Sequence, residues 1–425
     1  MNNKSKNPII KYKKNNKNNK KKNNSIDLKN NKNCMVNNDL NEIIKIIPIN
    51  NTIVKDTNPI NKMSDIFDKL LKNSKAKNEF KSLDKIEINP ELVYEENNDE
   101  INNLQQLINF SKNIDINKNF SFDVKKLKKL ISPLEELKTF VGMENIKNSI
   151  IKQILYFLQN LDTDSNMMHT VITGLPGLGK TKLGYLLAEI YYKMNVFRRR
   201  DGENKYISPI TNKEIDFKFT IARRSDLIGE YVGHTAIKTQ NLIDKALGGV
   251  LFIDEAYSLG NIDKKDTFSK ECIDTINQNL TENKDKFLVI VAGYEDELES
   301  CFFNYNPGLQ RRFAFRYNIE PYNFEELGFI FINKLNEWKI SDELKMVEGN
   351  NLYNFFKSNY NDFPNYGGDM ESLFLSVKIA HSLRIFCKNP NLRKILIFED
   401  IKKGFKIFKD SKKKDIISGY KSMYL

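Results

Sequence analysis

The chain has little of what builds disulfide or metal centres. Its four cysteines in 425 residues, Cys34, Cys272, Cys301 and Cys387, stand far apart and form no CxxC or other metal-ligand spacing. Free thiols in a reducing compartment are therefore expected. The three histidines, His169, His234 and His381, are scattered and form no metal cluster in sequence. No run of about 18 apolar residues occurs, so no membrane span is expected. The opening stretch MNNKSKNPIIKYKKNNKNNKKKNN carries charge but no apolar segment, so a secretory signal is not expected. These absences point to a cytoplasmic protein (host cytoplasm or virion if the source is viral).

Positive charge is present but unevenly placed. Of the net +12, Met1–Cys34 carries eleven lysines against one aspartate, +10, leaving +2 for the remainder. Residues 1–62 are low-complexity Asn/Lys sequence with too few apolar groups to offset ordering entropy, so a disordered arm is expected. Such an arm offers non-specific contact to nucleic acid or acidic surfaces. A merely solvated tail, or the codon bias of an AT-rich genome, accounts for the same composition. Residues 63–130 hold short amphipathic pieces, MSDIFDKLLKN and INNLQQLINFSKNI. Helices packed on the body and a loosely ordered extension both fit them.

From residue 131 the pattern changes. Ile146, Ile150, Ile154, Phe157 and Leu158 recur at helical spacing. Then short apolar runs alternate with helical ones: HTVITG, KTKLGYLLAEIYYKM, FKFTIA, TAIKTQNLIDKAL, GGVLFIDEA, KECIDTINQNLTEN and KFLVIVAGY. This alternation predicts an α/β domain over 131–320 whose parallel sheet is covered by helices on both faces. After Pro321 the runs are helical only, which predicts a small all-helical domain over 321–425. The segment RRRDGENKYISPITNKEIDF looks inserted ahead of the second strand.

Gly174-Leu-Pro-Gly-Leu-Gly-Lys180-Thr181 matches GxxxxGK[ST] between a predicted strand and a predicted helix. Gly174, Pro176, Gly177 and Gly179 shape a loop whose backbone N–H groups wrap phosphates at a positive helix end. Lys180 is placed to reach the β and γ oxygens, and the Thr181 hydroxyl to ligate Mg²⁺. The buried run Val250–Ile253 ends in Asp254-Glu255. Asp254 is the second candidate for holding Mg²⁺, and Glu255 the candidate general base on an attacking water. Strand-end carboxylates are often only solvated charge; following a phosphate loop, they read as catalytic.

Phosphate loop, DEA strand and NPGLQRRF (Asn306 to Phe313) together resemble an AAA+ ATPase. DLIGEYVGHTAIKT, GGVLFIDEAYSL, VAGYEDE and NPGL resemble the CbbX/CfxQ branch, which includes red-type Rubisco activases and the stage V sporulation protein K group. The resemblance covers Leu134 to Tyr322, with a weaker echo to Arg384. It implies ATP and Mg²⁺ as cofactors and a ring, usually a homo-hexamer, with ATP between protomers. It also implies an arginine reaching over from the neighbour. Arg312 lines up with that arginine, and Arg311, standing where the family has serine, is the runner-up; a surface salt bridge is the plain alternative for either. Tyr231 and Val232 fall where AAA+ remodellers carry an aromatic–aliphatic pore loop that grips polypeptide, with Gly229 and Gly233 as its expected hinges. A tyrosine packed beneath the loop is the alternative.

The chain also departs from the family pattern. Ala292-Gly293-Tyr294 stands where a polar sensor is usual, and YGGDMESLF offers Gly368 and Glu371 where lid arginines are expected, with Arg384 as a distant substitute. Val141-Gly142 falls at the family's adenine-contacting position or simply packs. The leading expectation is a ring ATPase that pulls on a client protein. A nucleic-acid-associated ATPase using the basic arm, and a slow nucleotide-switched assembly protein, are the alternatives.

Overall fold

A computed structural model describes residues 93–95, 100–159, 167–198, 205–231, 233–263, 265–340 and 344–422, all within one compact unit spanning Lys72–Leu425. The Asn/Lys-rich arm, the MSDIFDKLLKN segment and Val232 lie outside the described residues.

Among the described residues, four helices precede the sheet: α1 (Leu104–Asn113), α2 (Val124–Lys129), α3 (Ile131–Thr139) and α4 (Glu144–Leu158). The Asn103 side chain accepts from the Gln106 amide while Gln106 reaches back to the cap, a reciprocal arrangement that starts α1. Leu107, Leu127, Leu134 and Leu137 are buried in the same core as Ile150 and Ile154 of α4. The INNLQQLINFSKNI segment is thus a packed helix, which settles the choice its sequence left open.

The α/β body continues with β1 (Thr170–Gly174), α5 (Lys180–Lys193), β2 (Tyr206–Ile207), β3 (Glu214–Ile215), β4 (Phe219–Ala222), α6 (Arg224–Leu227), α7 (His234–Ala246), β5 (Val250–Ile253), α8 (Thr267–Glu282), β6 (Leu288–Gly293), α9 (Glu295–Glu297) and β7 (Phe315–Ile319). Five strands pair in the order β4-β5-β6-β1-β7, every pairing parallel. β5 and β6 are buried along their whole length, which is why they read as unbroken apolar runs. Side chains alternate between two cores. Ile172, Phe252 and Ile290 pack on the α5 side; Val171, Leu251, Ile253 and Val289 meet Ile273 and Ile276 of α8 on the other. In the inserted segment, β2 and β3 form a separate antiparallel ribbon.

The chain leaves β1 for the β4 edge, works back through β5 and β6, then crosses β1 to reach β7. That reversal makes the carboxyl end of β1 a topological switch point, where open α/β sheets bind ligands. The C-terminal part is helical: α10 (Phe324–Lys334), α11 (Asn351–Asn359), α12 (Gly367–Ile385) and α13 (Phe398–Ser422). One short parallel pairing, β8 (Lys339–Ile340) with β9 (Ile395–Leu396), ties its ends together. Phe331, Phe356, Phe363 and Phe408 fill its interior.

Candidate nucleotide-binding site

The loop between β1 and α5 turns through glycines at Gly177 (φ +75°) and Gly179 (φ +89°), a backbone region that costs other residues energy. Gly179 caps α5 with no side-chain bond to the first-turn amides. An uncapped helix start behind a glycine turn is a ready anion site. The Lys180 ammonium lies over this loop, donating to the carbonyls of Gly174 at 2.8 Å and Leu175 at 3.0 Å. Burial pushes its pKa down, against the pull of Asp254 and Glu255. Thr181 follows in the first turn of α5, half-buried.

Asp254 and Glu255 emerge from the carboxyl end of β5, beside the loop. Burial and the adjoining Glu255 push the Asp254 pKa up, while Lys180 and Arg223 hold it down. Glu255 sits in left-handed backbone (φ 51°, ψ 48°) and is exposed. A non-glycine residue persists there only when its surroundings fix it. Burial and the nearby Glu255 charge push the Tyr257 pKa up, and its ring stacks on Tyr294 at 5.3 Å between centroids. Lys180 Nζ in turn lies 5.1 Å from the Tyr294 ring centre. The structure therefore brings Lys180, Asp254, Glu255 and Tyr294 together beside the phosphate loop. These donors and carboxylates fit a nucleoside triphosphate with a divalent cation.

The helical part closes over this loop through backbone. The Gly367 amide donates to the Gly177 carbonyl at 3.1 Å. A Cβ on Gly177 would lie 2.0 Å from the Asn365 carbonyl oxygen, so only glycine permits the approach. Tyr322 adds a bond from its hydroxyl to the Leu178 carbonyl at 2.9 Å. Glu371 points elsewhere, pairing with Lys334 at 2.9 Å. Arg384 is no substitute sensor: it lies at the far end of α12, ion-paired with the buried Asp400 at 2.7 Å. Gly142 abuts the Glu326 side chain of α10, a contact sequence spacing did not show.

Arg312 lies elsewhere. Phe313 bridges Met168 just before β1, and β7 starts beside Thr170, so Arg311 and Arg312 sit at the amino edge of the sheet. Arg312 donates through Nε to Thr281 Oγ1 at 3.0 Å and through Nη1 to the Gly308 carbonyl at 2.6 Å. Arg311 is exposed.

Tyr231 projects, 65% exposed, with its ring edge-on to His234. The stems of its loop are tied down. Gly229 N donates to Thr235 Oγ1 at 3.0 Å, and Thr239 Oγ1 to the Leu227 carbonyl at 3.0 Å. Lys238 Nζ donates to the carbonyls of Ser225 and Ile228. A Cβ on Gly229 would lie 2.8 Å from the His234 carbonyl carbon, so Gly229 serves close packing; Gly233, at φ +84°, alone keeps the open turn expected of a hinge. Lys238 and Thr239, unassigned from sequence, are the fasteners.

A five-stranded parallel sheet with this phosphate loop and strand-end carboxylates defines a P-loop nucleoside triphosphatase. The comparisons narrow the class. The family model described as "ATPase family associated with various cellular activities (AAA)" matches residues 170–321. The cfxQ-like protein R730 of Acanthamoeba polyphaga mimivirus is 40% identical over 330 residues, 76% of this chain and 76% of that protein. Stage V sporulation protein K of Bacillus subtilis is 35% identical over 50% of this chain and 66% of its own length. The CfxQ homolog of Galdieria sulphuraria is 32% identical over 56% and 75%. The chain belongs to the CbbX/CfxQ branch of the AAA ATPases.

Proposed function

We propose that this protein hydrolyses ATP in a homo-oligomeric ring, a hexamer on the family pattern, and uses the cycle to pull on a client protein. The convergence of Lys180, Asp254 and Glu255 at the sheet's switch point carries the reading. The glycine turn and the α5 amides bind the phosphates, and Lys180 moves from its carbonyl partners onto the β and γ oxygens. Thr181 and Asp254 hold the cation. Bound magnesium neutralises charge developing on the phosphates. Glu255, displayed on left-handed backbone, takes the proton of the attacking water. Arg312 faces away from its own loop, so it serves the site of a neighbouring protomer. Its Nε and Nη1 bonds pre-set the guanidinium, which favours transition-state stabilisation. Tyr231, with Val232, contacts the client; an exposed apolar tip on fastened stems transmits force without sequence selectivity.

The test is ATP turnover with and without an unfolded protein. Stimulation by unfolded protein, abolished by Tyr231→Ala, is the expected result. Stimulation by DNA or RNA that survives Tyr231→Ala would instead favour a nucleic-acid ATPase using the basic arm.

A further inference from the structure

Two arginines follow β4, and they have different surroundings. Arg224 is engaged: its guanidinium donates to the Ser258 carbonyl and Ser269 Oγ, and pairs with Asp266 at 2.9 Å. Arg223 is exposed, on extended backbone (φ −124°, ψ 171°). Its direction follows from the sheet register. β4 and β5 are parallel with Ile221 opposite Phe252 and Ala222 opposite Ile253, and Asp254 N donates to the Ala222 carbonyl at 3.0 Å. In-register neighbours project to the same face, and faces alternate along a strand. Ala222 and Ile253 point into the α8-side core, whereas Ile221 and Phe252 point to the α5 side. Arg223 and Asp254 therefore share the α5 side, the face of the phosphate loop. Arg223 is also among the charges felt by the Asp254 carboxylate.

We infer that Arg223 is a further positioning residue of the hydrolytic site, the resting counter-ion of the Asp254 carboxylate. It competes with the divalent cation for that carboxylate and so sets the metal requirement. The inference rests on the proposed nucleotide site. Direct contact with loop-bound phosphates is the less favoured role. β5 and β6 separate β4 from β1, which puts their ends about 14 Å apart at ordinary strand spacing.

The experiment titrates Mg²⁺ into the full chain with a fluorescent, non-hydrolysable ATP analogue, reading bound nucleotide rather than turnover. Arg223→Ala is expected to lower the half-saturating Mg²⁺ about two- to fivefold, the size of a partly exposed ion pair. Arg223→Lys should stay near the unaltered chain, because the charge is kept. Analogue affinity in EDTA should be unchanged in both. An unmoved Mg²⁺ midpoint in Arg223→Ala overturns the inference, as does lost affinity in EDTA, which marks a phosphate contact. If the unaltered chain binds no analogue with or without Mg²⁺, the nucleotide site itself is wrong and the inference falls with it.

Discussion

In the roles proposed for them, Asp254 and Glu255 need opposite surroundings although they are adjacent in sequence. A cation ligand belongs among other charges, and a base belongs where water can approach. The backbone separates them: Asp254 is half-buried beside Lys180, and Glu255 turns through left-handed φ into exposure. On the proposed reading, Glu255→Gln keeps nucleotide and slows turnover by about 10²–10⁴-fold. Equilibrium binding and phosphate release, measured on the same preparation, check both halves. Turnover like that of the unaltered chain would remove Glu255 from the mechanism. Lys180→Ala should weaken ATP binding at least about tenfold, since a half-buried ammonium moved onto phosphate oxygens contributes over about 1.4 kcal/mol. Isothermal titration reads that loss, and unchanged affinity would remove the phosphate-loop assignment.

At the scale of elements, one brace went unread in the sequence. His169, buried just ahead of β1, accepts from the Val289 amide of β6 at Nδ1 (3.1 Å), and its Nε2 lies 3.4 Å from the Leu280 carbonyl of α8. Those partners require the neutral ring with its proton on Nε2, since protonating Nδ1 breaks the Val289 bond. Burial lowers its pKa from 6.5 to about 4, with the Arg312 charge adding to the depression. A depressed folded pKa means the unfolded chain takes up the proton first. The contribution is whole above pH 6.5 and is lost as pH falls to about 4. Its size is on the order of 3 kcal/mol. His169→Gln, which offers one acceptor and one donor without titrating, should flatten the stability profile in that window. Denaturant midpoints from pH 7 to 4 measure it, and parallel profiles for the two proteins would refute the brace. Strands β5 and β6 were legible because burial on both faces leaves no polar residue to blur the pattern, and β1 because its two threonines are β-branched and buried like their apolar neighbours. The phosphate loop and Asp254-Glu255 were legible because their chemistry is local. His169, Gly229 and the Gly177–Gly367 contact were not, because each depends on a neighbour distant in sequence. A histidine beside a strand looks the same whether its partner is water or Val289. Gly229 read as a hinge because its clash with His234 exists only after the loop folds back.

At the scale of the whole molecule, the sheet separates two parts that the proposed reaction needs together. The phosphate loop lies at the carboxyl end of β1, while Arg312 lies beyond its amino end, next to His169. The two ends of β1 alone are about 13 Å apart at 3.3 Å per residue, so Arg312 cannot reach the phosphates of its own chain. Head-to-tail packing of copies solves this, because it sets one protomer's amino edge against the next one's loop. The proposed ring then makes a prediction that no monomeric ATPase shares. Lys180→Ala chains keep Arg312 but bind nucleotide poorly, so they are mixed at an ATP concentration that leaves their own loops largely empty; Arg312→Ala chains bind nucleotide but lack the arginine. Each alone should be nearly inactive. Mixed one to one, random assembly pairs an intact loop with an intact arginine at about a quarter of the seams, so about a quarter of full turnover should return. Activity should also rise faster than linearly with total protein at low concentration. Steady-state phosphate release across mixing ratios reads both effects. Silence at every ratio would place the arginine, or the ring, outside the chemistry.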